Sequence, residues 1–336
     1  MKENACKKYI VILFACFVAQ FTFAQQTAEN FILETKYLLY LPDGYGADTA
    51  TKWPLVIFLH GSGESGDDLA KVKVHGPPKL VDQGKKFPFI LVSPQAPPRT
   101  GWSVEILKRM LDNLKTKYQV DADRIYLTGL SMGGFGTWNF ASKYPDEFAA
   151  IAPICGGGNP AEVWKLRHMG VWCFHGAKDN VVLPAQSQKM VDELRKYNPE
   201  VRFTLYPDAN HNSWDTTYNL EGLYSWLLSH TKYHYKPMKM PVEKLQQYKG
   251  VYVAAHNKDT IQVSVDSGKL MLKTGRDLIP LKPYAVSKFY WDDHSIDEIR
   301  FLHDEKGTVK GFMLWADERI EFKKVRSTNN DNKVSK

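Results

Sequence analysis

The chain has 336 residues, of which 43% are hydrophobic, and its formal net charge is +7. This length and apolar content suffice for one sizeable core and suggest two domains. Because the lysines and arginines form no long run, we expect no nucleic-acid partner.

Residues 1–24 have the pattern of an export signal. Two lysines precede an apolar stretch over residues 9–19, and Ala24 stands at a small-residue cleavage site. The alternative is a membrane anchor, but the apolar run is shorter than the ~20 residues of a membrane-spanning helix, so we expect no transmembrane segment. Lipid attachment at Cys16 is a further alternative that Phe14 fits poorly. We therefore favour cleavage and a periplasmic or extracellular protein.

Between residues 30 and 232, predicted strands alternate with predicted helices. The strands are short, apolar and rich in branched residues, which is typical of strands buried on both faces. Strands are expected at 53–60, 87–92, 125–128, 148–154, 170–174 and 201–206, and helices at 103–118, 134–144, 185–197 and 216–229. This alternation predicts an α/β domain, a mostly parallel sheet with helices on both faces.

The pattern changes after residue 232. Residues 233–241 contain two prolines and are predicted to be a linker. Short alternating runs separated by turn residues then predict a small antiparallel β domain over residues 242–326. Its strands are expected at 260–265, 269–273, 288–291, 298–303, 309–315 and 319–325. The polar tail, residues 327–336, is predicted to be disordered.

Residues 129–133 read Gly-Leu-Ser-Met-Gly, between a predicted strand and a predicted helix. A chain of this length contains a Gly-x-Ser-x-Gly pentapeptide by chance roughly one time in ten. The strand–turn–helix setting, however, is that of a nucleophile elbow, in which two glycines relieve crowding around a strained serine. Ser131 is therefore the candidate nucleophile.

A serine nucleophile needs a histidine base and a carboxylate that orients the histidine. Where the serine lies in a nucleophile elbow, the chain order is serine, then the acid, then the histidine. Asp179 follows the predicted strand at 170–174, and His211 lies between the last predicted strand and the last helix of the α/β domain. The alternatives are an ordinary turn or capping aspartate and an ordinary loop histidine. The required order favours a Ser131–Asp179–His211 triad.

Two backbone N–H groups are expected to form an oxyanion hole. One belongs to Met132, directly after the nucleophile, and the other to Ser62, with Gly63 as the alternative. His60 precedes this loop and is predicted to make structural hydrogen bonds.

Cys155 and Cys173 are the cysteines that remain after cleavage. Two cysteines do not make a disulfide framework, and we expect each to be a small buried apolar residue. The predicted chemistry requires no metal or cofactor, and we expect none.

Several stretches together resemble the α/β-hydrolase superfamily, in its secreted branch of feruloyl and acetyl-xylan esterases, whose members are often labelled dienelactone-hydrolase-like or prolyl-oligopeptidase-like. The matching stretches are 60–64, 93–95, 129–134, 175–179 and 211–214. Residues 245–252 resemble the start of a small C-terminal domain found on various secreted hydrolases and serine β-lactamase-like proteins, which implies no chemistry. The resemblance implies a serine carboxylesterase.

Lids of this fold insert after the strand that ends near Cys155, where about fifteen residues (156–170) precede the next strand. That is too short for a helical lid, so we expect an open cleft and an ester-decorated polysaccharide or oligosaccharide as substrate. Trp102, Trp214 and Gln95 are candidate substrate-binding residues; their alternatives are core packing and a structural role.

Two other functions remain open. One is a peptidase or aminoacyl hydrolase with the same triad, which the short lid segment disfavours. The other is a non-catalytic glycan-binding protein with a vestigial triad, which the complete triad disfavours. Tyr290, Trp291 and Trp315 in the β domain are glycan-binding candidates, although we favour a core role for them.

Overall fold

The structure, a computed structural model, describes residues 35–325. The predicted signal sequence, including Cys16, and the predicted tail lie outside the described residues. Within residues 35–325, no helix is long and apolar enough to cross a membrane. The described chain forms one mixed sheet flanked by helices, followed by one closed antiparallel barrel.

The first sheet has seven strands in the order β1-β3-β2-β4-β5-β6-β7. Its strands are β1 (Tyr37–Tyr40), β2 (Trp53–Leu59), β3 (Ile90–Pro94), β4 (Val120–Leu130), β5 (Ala150–Ile154), β6 (Gly170–Gly176) and β7 (Arg202–Tyr206). The edge strand β1 pairs antiparallel with β3, and the other neighbours pair in parallel. The six predicted strands are all present, with ends displaced by a few residues.

Helices cover both faces of this sheet. They are α1 (Gly76–Asp82), α2 (Val104–Lys117), α3 (Met132–Lys143), α4 (Ala185–Arg195), α5 (Trp214–Asn219) and α6 (Glu221–Leu228). Leu111, Trp138 and Met190 bring α2, α3 and α4 into one core cluster, whereas Leu80 and Tyr218 bring α1 and α5 into the other. The predicted α/β architecture is confirmed. The predicted last helix is divided into α5 and α6 at Leu220, whose backbone is extended.

The barrel has eight antiparallel strands in the closed order β10-β11-β12-β13-β14-β15-β8-β9. They are β8 (Gly250–Ala254), β9 (Thr260–Asp266), β10 (Lys269–Thr274), β11 (Asp277–Ala285), β12 (Lys288–Tyr290), β13 (Glu298–His303), β14 (Val309–Trp315) and β15 (Arg319–Lys324), preceded by a short helix, α7 (Val242–Leu245). Sequence reasoning missed β8 and β11. Strand β11 contains Pro280 and Pro283, and its register shifts after Pro283, so its pattern is not that of a regular strand.

Aromatic side chains fill the barrel. Tyr252, Phe289 and Phe312 are completely buried in its core cluster. Tyr290 and Trp315 are buried as well, with exposures of 0% and 8%. Neither belongs to the core cluster of the barrel, however: Tyr290 stacks on Tyr235 and Trp315 packs against Trp164, so both are buried at the junction with the α/β domain. Trp291 is partly buried and packs against the barrel core.

A buried ion pair joins the barrel to the α/β domain. Arg167 donates from Nε to Glu298 Oε1 at 3.0 Å, and Arg300 of β13 donates to the same oxygen at 2.6 Å. Tyr284 of β11 donates to the other carboxylate oxygen of Glu298, and Arg167 also donates to the carbonyl of Ile296. Burial raises the pKa of Glu298, but the hydrogen bond from Arg300 and the two guanidinium charges outweigh it and hold the pKa below its usual range.

Residues 229–241 carry no helix or strand, as expected of a linker. They do not form a loose tether, however. Tyr235 is 7% exposed, donates from its hydroxyl to Ile296 O at 2.8 Å, and stacks on Tyr290 with ring centroids 4.7 Å apart. The connection is therefore packed into the junction that it crosses.

Replacing Glu298 with alanine should leave the buried guanidinium group of Arg167 and the partly buried one of Arg300 without their carboxylate. Such a change is expected to lower the free energy of unfolding by about 3–5 kcal/mol, as is usual when one partner of a buried ion pair is removed. Urea denaturation of the full chain measures this, with Glu305→Ala, an exposed barrel glutamate, as the matched control. A loss of less than about 1 kcal/mol, the range of exposed pairs, would contradict the assigned role.

Candidate active site

Ser131 occupies a strained turn between β4 and α3. Its φ of 51° and ψ of −117° lie in a region that residues with side chains rarely adopt. Its N–H donates to Ile154 O at 3.0 Å and lies 3.3 Å from Cys155 Sγ, so the turn is fastened to the end of β5. This is the geometry of a nucleophile elbow.

The two glycines of the motif are required by close backbone contacts. A Cβ at Gly133 would lie 2.0 Å from Leu59 O, and a Cβ at Gly129 would lie 2.4 Å from Gly133 O. Backbone atoms cannot move aside as a flexible side chain would. Any other residue at either position would therefore push the serine turn away from the end of β2.

The serine, acid and base predicted from the sequence lie together at the carboxyl edge of the sheet. His211, in the loop after β7, places Nε2 3.0 Å from Ser131 Oγ and Nδ1 2.7 Å from Asp179 Oδ2. Asp179 follows β6 and its side chain is completely buried, whereas the side chain of His211 is 20% exposed. These contacts orient the imidazole to accept the serine proton at Nε2.

The Asp179 carboxylate is held by four hydrogen bonds. Oδ1 accepts from the backbone N–H groups of Val181 and Val182, each at 2.9 Å. Oδ2 accepts from His211 and lies 3.1 Å from Nε2 of a second imidazole, His175. Burial raises the pKa of Asp179, but the hydrogen bonds from His211 and the two backbone groups outweigh it and hold the pKa below its usual range. The carboxylate therefore stays charged beneath His211.

His175 is a residue whose place in this site sequence reasoning missed. It appeared only as part of a matching stretch at the end of a predicted strand. Its side chain is completely buried, which a lone histidine in an apolar run does not signal. The spacing of four residues to Asp179 is the one feature that could have suggested the contact.

The predicted oxyanion donors flank the serine in the chain. Met132 is the first residue of α3, where backbone N–H groups have no partner within the helix. Ser62 and Gly63 are exposed in a one-turn 3₁₀ helix, Ser62–Glu64, directly beyond β2. Both segments thus present N–H groups at the same edge of the sheet, and their role as an oxyanion hole stays a prediction.

A buried network supports the loop that carries Ser62. Glu64 accepts from Gly61 N at 2.9 Å, and His60 donates from Nδ1 to Gly61 O at 2.6 Å. His60 Nε2 accepts from Ala96 N at 3.0 Å, and burial lowers the pKa of this imidazole, so it is neutral. The position of His60 agrees with the structural role expected for it.

The three candidate substrate-binding residues make contacts within the protein. Gln95 is 4% exposed, and its amide donates to Glu64 O at 2.9 Å and to Asp68 O at 2.8 Å. Trp214 is 9% exposed, and its ring meets that of His211 edge-on at 5.3 Å. Trp102 is half-buried. Direct contact of these side chains with a substrate stays a prediction; Gln95 and Trp214 have clear supporting roles.

Cys155 Sγ, Asp179 and His211 are the group of metal-ligand types that comes together here, with donor atoms within 4.8 Å of one another. Burial raises the pKa of the Cys155 thiol to about 12. The thiol is therefore protonated in the absence of a metal ion. Both remaining cysteines, Cys155 and Cys173, are free and buried, in agreement with the predicted apolar role.

The connection from β5 to β6 carries a single 3₁₀ helix, Pro160–Leu166. Its first residues pack closely against α3: a Cβ at Gly156 would be 2.4 Å from Gly134 C, and a Cβ at Gly157 would be 3.2 Å from the Phe135 ring. This segment packs down beside the nucleophile helix, so it builds no lid above Ser131.

Comparisons with known proteins agree with this geometry. Residues 89–219 match the model of the dienelactone hydrolase family. Poly(3-hydroxyalkanoate) depolymerase C of Paucimonas lemoignei is 30% identical over 159 residues, which are 35% of this chain and 38% of that protein. A bifunctional acetylxylan esterase/xylanase of Neocallimastix patriciarum is 26% identical over 190 residues, which are 54% of this chain and 27% of that protein. The matched regions thus span well under half the length of these two relatives.

Among solved structures, a thermostable esterase is 32% identical, with a TM-score of 0.52 over 59% of this chain and 60% of that chain. This likeness and the seven-stranded sheet with its serine elbow show an α/β-hydrolase fold, and residues 89–219 within it are similar to the dienelactone hydrolase family.

Proposed function

We propose that this protein is an exported serine carboxylesterase that removes ester side groups, of the acetyl or feruloyl type, from polysaccharides or oligosaccharides. The observation that carries the proposal is the continuous chain of contacts from Ser131 Oγ through His211 to Asp179, at 3.0 Å and 2.7 Å. The family and the relatives named as esterases support an ester as the bond that is cleaved.

The proposed reaction has two halves. Ser131 Oγ attacks the ester carbonyl carbon while His211 Nε2 takes the hydroxyl proton, and the N–H groups of Met132 and Ser62 donate to the oxyanion. Collapse of the tetrahedral intermediate breaks the ester C–O bond, and the leaving alcohol takes the proton from His211. A water molecule then repeats the attack on the acyl-serine, which releases the acid and restores the serine.

A groove along α3 supports a polymer as substrate; its lining does not include Ser131, Asp179 or His211. The groove has a volume of about 820 Å³ and runs along α3 from Trp102, past Asn139 and Asn159, to Glu318 in the β14–β15 turn. Trp102 connects it to the oxyanion loop, because its indole N–H donates to His60 O at 3.2 Å. An aromatic face followed by carboxamide groups suits a neutral sugar chain.

The charges of the groove also favour a neutral chain. Four carboxylates and two ammonium groups line it, a formal balance of −2; they are Glu105, Glu162, Asp317, Glu318, Lys143 and Lys165. An anionic polymer would meet net repulsion here, whereas uncharged hydroxyl groups find both donors and acceptors.

An aliphatic polyester is a second candidate substrate. Val181 and Leu183, in the loop that follows Asp179, are 68% and 60% exposed. Exposed apolar side chains beside a catalytic loop fit a hydrophobic polymer, and one relative is named as a poly(3-hydroxyalkanoate) depolymerase.

Replacing Ser131 with alanine should abolish hydrolysis of p-nitrophenyl acetate, because Ser131 supplies the hydroxyl group that is hydrogen-bonded to His211 Nε2. Turnover is expected to fall by about 10⁶-fold, because no acyl-enzyme can form and only substrate binding and the oxyanion hole still contribute to the rate. Labelling by a fluorophosphonate probe should disappear with it, while far-UV circular dichroism stays unchanged. Ser264→Ala, on the barrel, is the matched control. Near-normal turnover in the Ser131 variant would refute the mechanism.

Asn139→Ala should separate polymer from small-ester hydrolysis. One lost hydrogen bond to the sugar chain is expected to lower kcat/KM on acetylated or feruloylated xylan roughly 3- to 10-fold. Methyl ferulate and p-nitrophenyl acetate, which are too small to fill the groove, should be hydrolysed as by the wild type. Asn113→Ala, an exposed asparagine of α2 outside the groove, is the control. Equal losses on both substrate types would remove the groove from the proposal, and activity on poly(3-hydroxybutyrate) alone would favour the second candidate.

A further inference from the structure

We propose that His175 is a positioning residue, a second imidazole that holds the Asp179 carboxylate and moderates its interaction with His211. The inference rests on the triad of the proposed function. It concerns a residue that neither attacks, protonates nor binds the substrate. Its place is the completely buried end of β6, directly beneath the acid loop.

The hydrogen of His175 is fixed by its neighbours. Nε2 lies 3.1 Å from Asp179 Oδ2 and 2.8 Å from Val182 O, and both of these atoms can only accept. Nε2 must therefore carry the hydrogen and donate to this pair of oxygens. Burial holds the pKa of His175 below its usual range, so the ring is neutral and Nδ1 is left as an acceptor.

The second nitrogen ties His175 to the segment behind the nucleophile. Nδ1 lies 2.7 Å from Ser187 Oγ, and the same hydroxyl lies 2.7 Å from Gly156 O. The hydroxyl donates to one of these two acceptors at a time. Ser131 N donates to Ile154 O, which is only two residues from Gly156. The contacts therefore run from Ser131 through His211, Asp179, His175 and Ser187 to Gly156, and the backbone between Gly156 and Ile154 leads back to Ser131.

Two consequences follow for Asp179. His175 closes the acid loop, because it bridges the carboxylate and the carbonyl of Val182, and this stops the carboxylate from turning away from His211. It also donates to the same oxygen, Oδ2, that accepts from His211. Because the hydrogen bond from His175 already stabilises the negative charge on this oxygen, the carboxylate attracts the hydrogen of His211 less strongly than it would alone. His175 therefore limits how strongly Asp179 favours the protonated form of His211.

Few other charges act on this pair. The Cys155 thiol lies within 4.8 Å of the donor atoms of Asp179 and His211, Cys173 lies two residues before His175 in β6, and burial raises the pKa of each thiol to about 12. Both thiols are uncharged over the working pH range.

The test compares His175→Met with His175→Gln in the full-length protein. Methionine fills similar space without a donor, whereas the glutamine amide N–H reaches the position of Nε2 and restores the donor. His175→Met is expected to lower kcat and to shift the low-pH fall of kcat/KM to higher pH by roughly 0.5 unit. The reason is that a carboxylate without the hydrogen bond from His175 stabilises protonated His211 more strongly. His175→Gln should bring both values back toward the wild type.

Two readouts separate this inference from the proposed function. Titration of His211 followed by NMR needs no turnover, so it tests His175 even if the wild type hydrolyses no ester. Thermal unfolding and fluorophosphonate labelling show that each variant is folded with an intact Ser131. An unchanged titration in folded His175→Met, or a glutamine variant that behaves like the methionine variant, would overturn the role and leave His175 as core packing.

Discussion

The contact between the Ser131 turn and the end of β2 is the constraint on which the rest of the catalytic domain depends. A Cβ at Gly133 would lie only 2.0 Å from Leu59 O, so the two backbones touch. This contact fixes where α3 begins, and hence the direction of the Met132 N–H. Because the loop with Ser62 starts directly after Leu59, the same contact brings both predicted oxyanion donors to one place. Strain at the serine is thus tied to the placement of the whole site.

Beneath this turn, buried polar groups satisfy one another. The Asp179 carboxylate has four donors, and His60 and Glu64 hold the loop that carries Ser62 through their contacts with Gly61. A buried carboxylate without such partners would take up a proton and lose its effect on His211. The donors therefore maintain the charge that His211 needs, and they also fix its direction. The same hydrogen bonds thus fix the position of the Asp179 carboxylate and keep it negatively charged.

Local signals made the site largely predictable. Ser131, Asp179 and His211 each follow a strand that its apolar run reveals, and the three meet because parallel strands end at one edge of the sheet. The role of His175 depends on Ser187 of α4, and no local pattern encodes that contact. Closure of the barrel was not predicted either, because it depends on the pairing of β8 with β9 and with β15. Strand β11 was missed because its two prolines are not typical of a regular strand. Burial of Gln95 and Trp214 likewise arises from distant partners.

The junction argues against an independent role for the barrel as a mobile binding module. Interfaces between mobile domains are small and polar, but here Trp164 packs edge-on against Trp315 at 5.6 Å, and Arg167 reaches completely buried Glu298. Opening this junction would expose two indoles and unpair an ion pair that burial makes costly to break. The β14–β15 turn is consequently held at one fixed position along α3. A barrel fixed in this way forms one wall of the groove, to which it contributes Asp317 and Glu318.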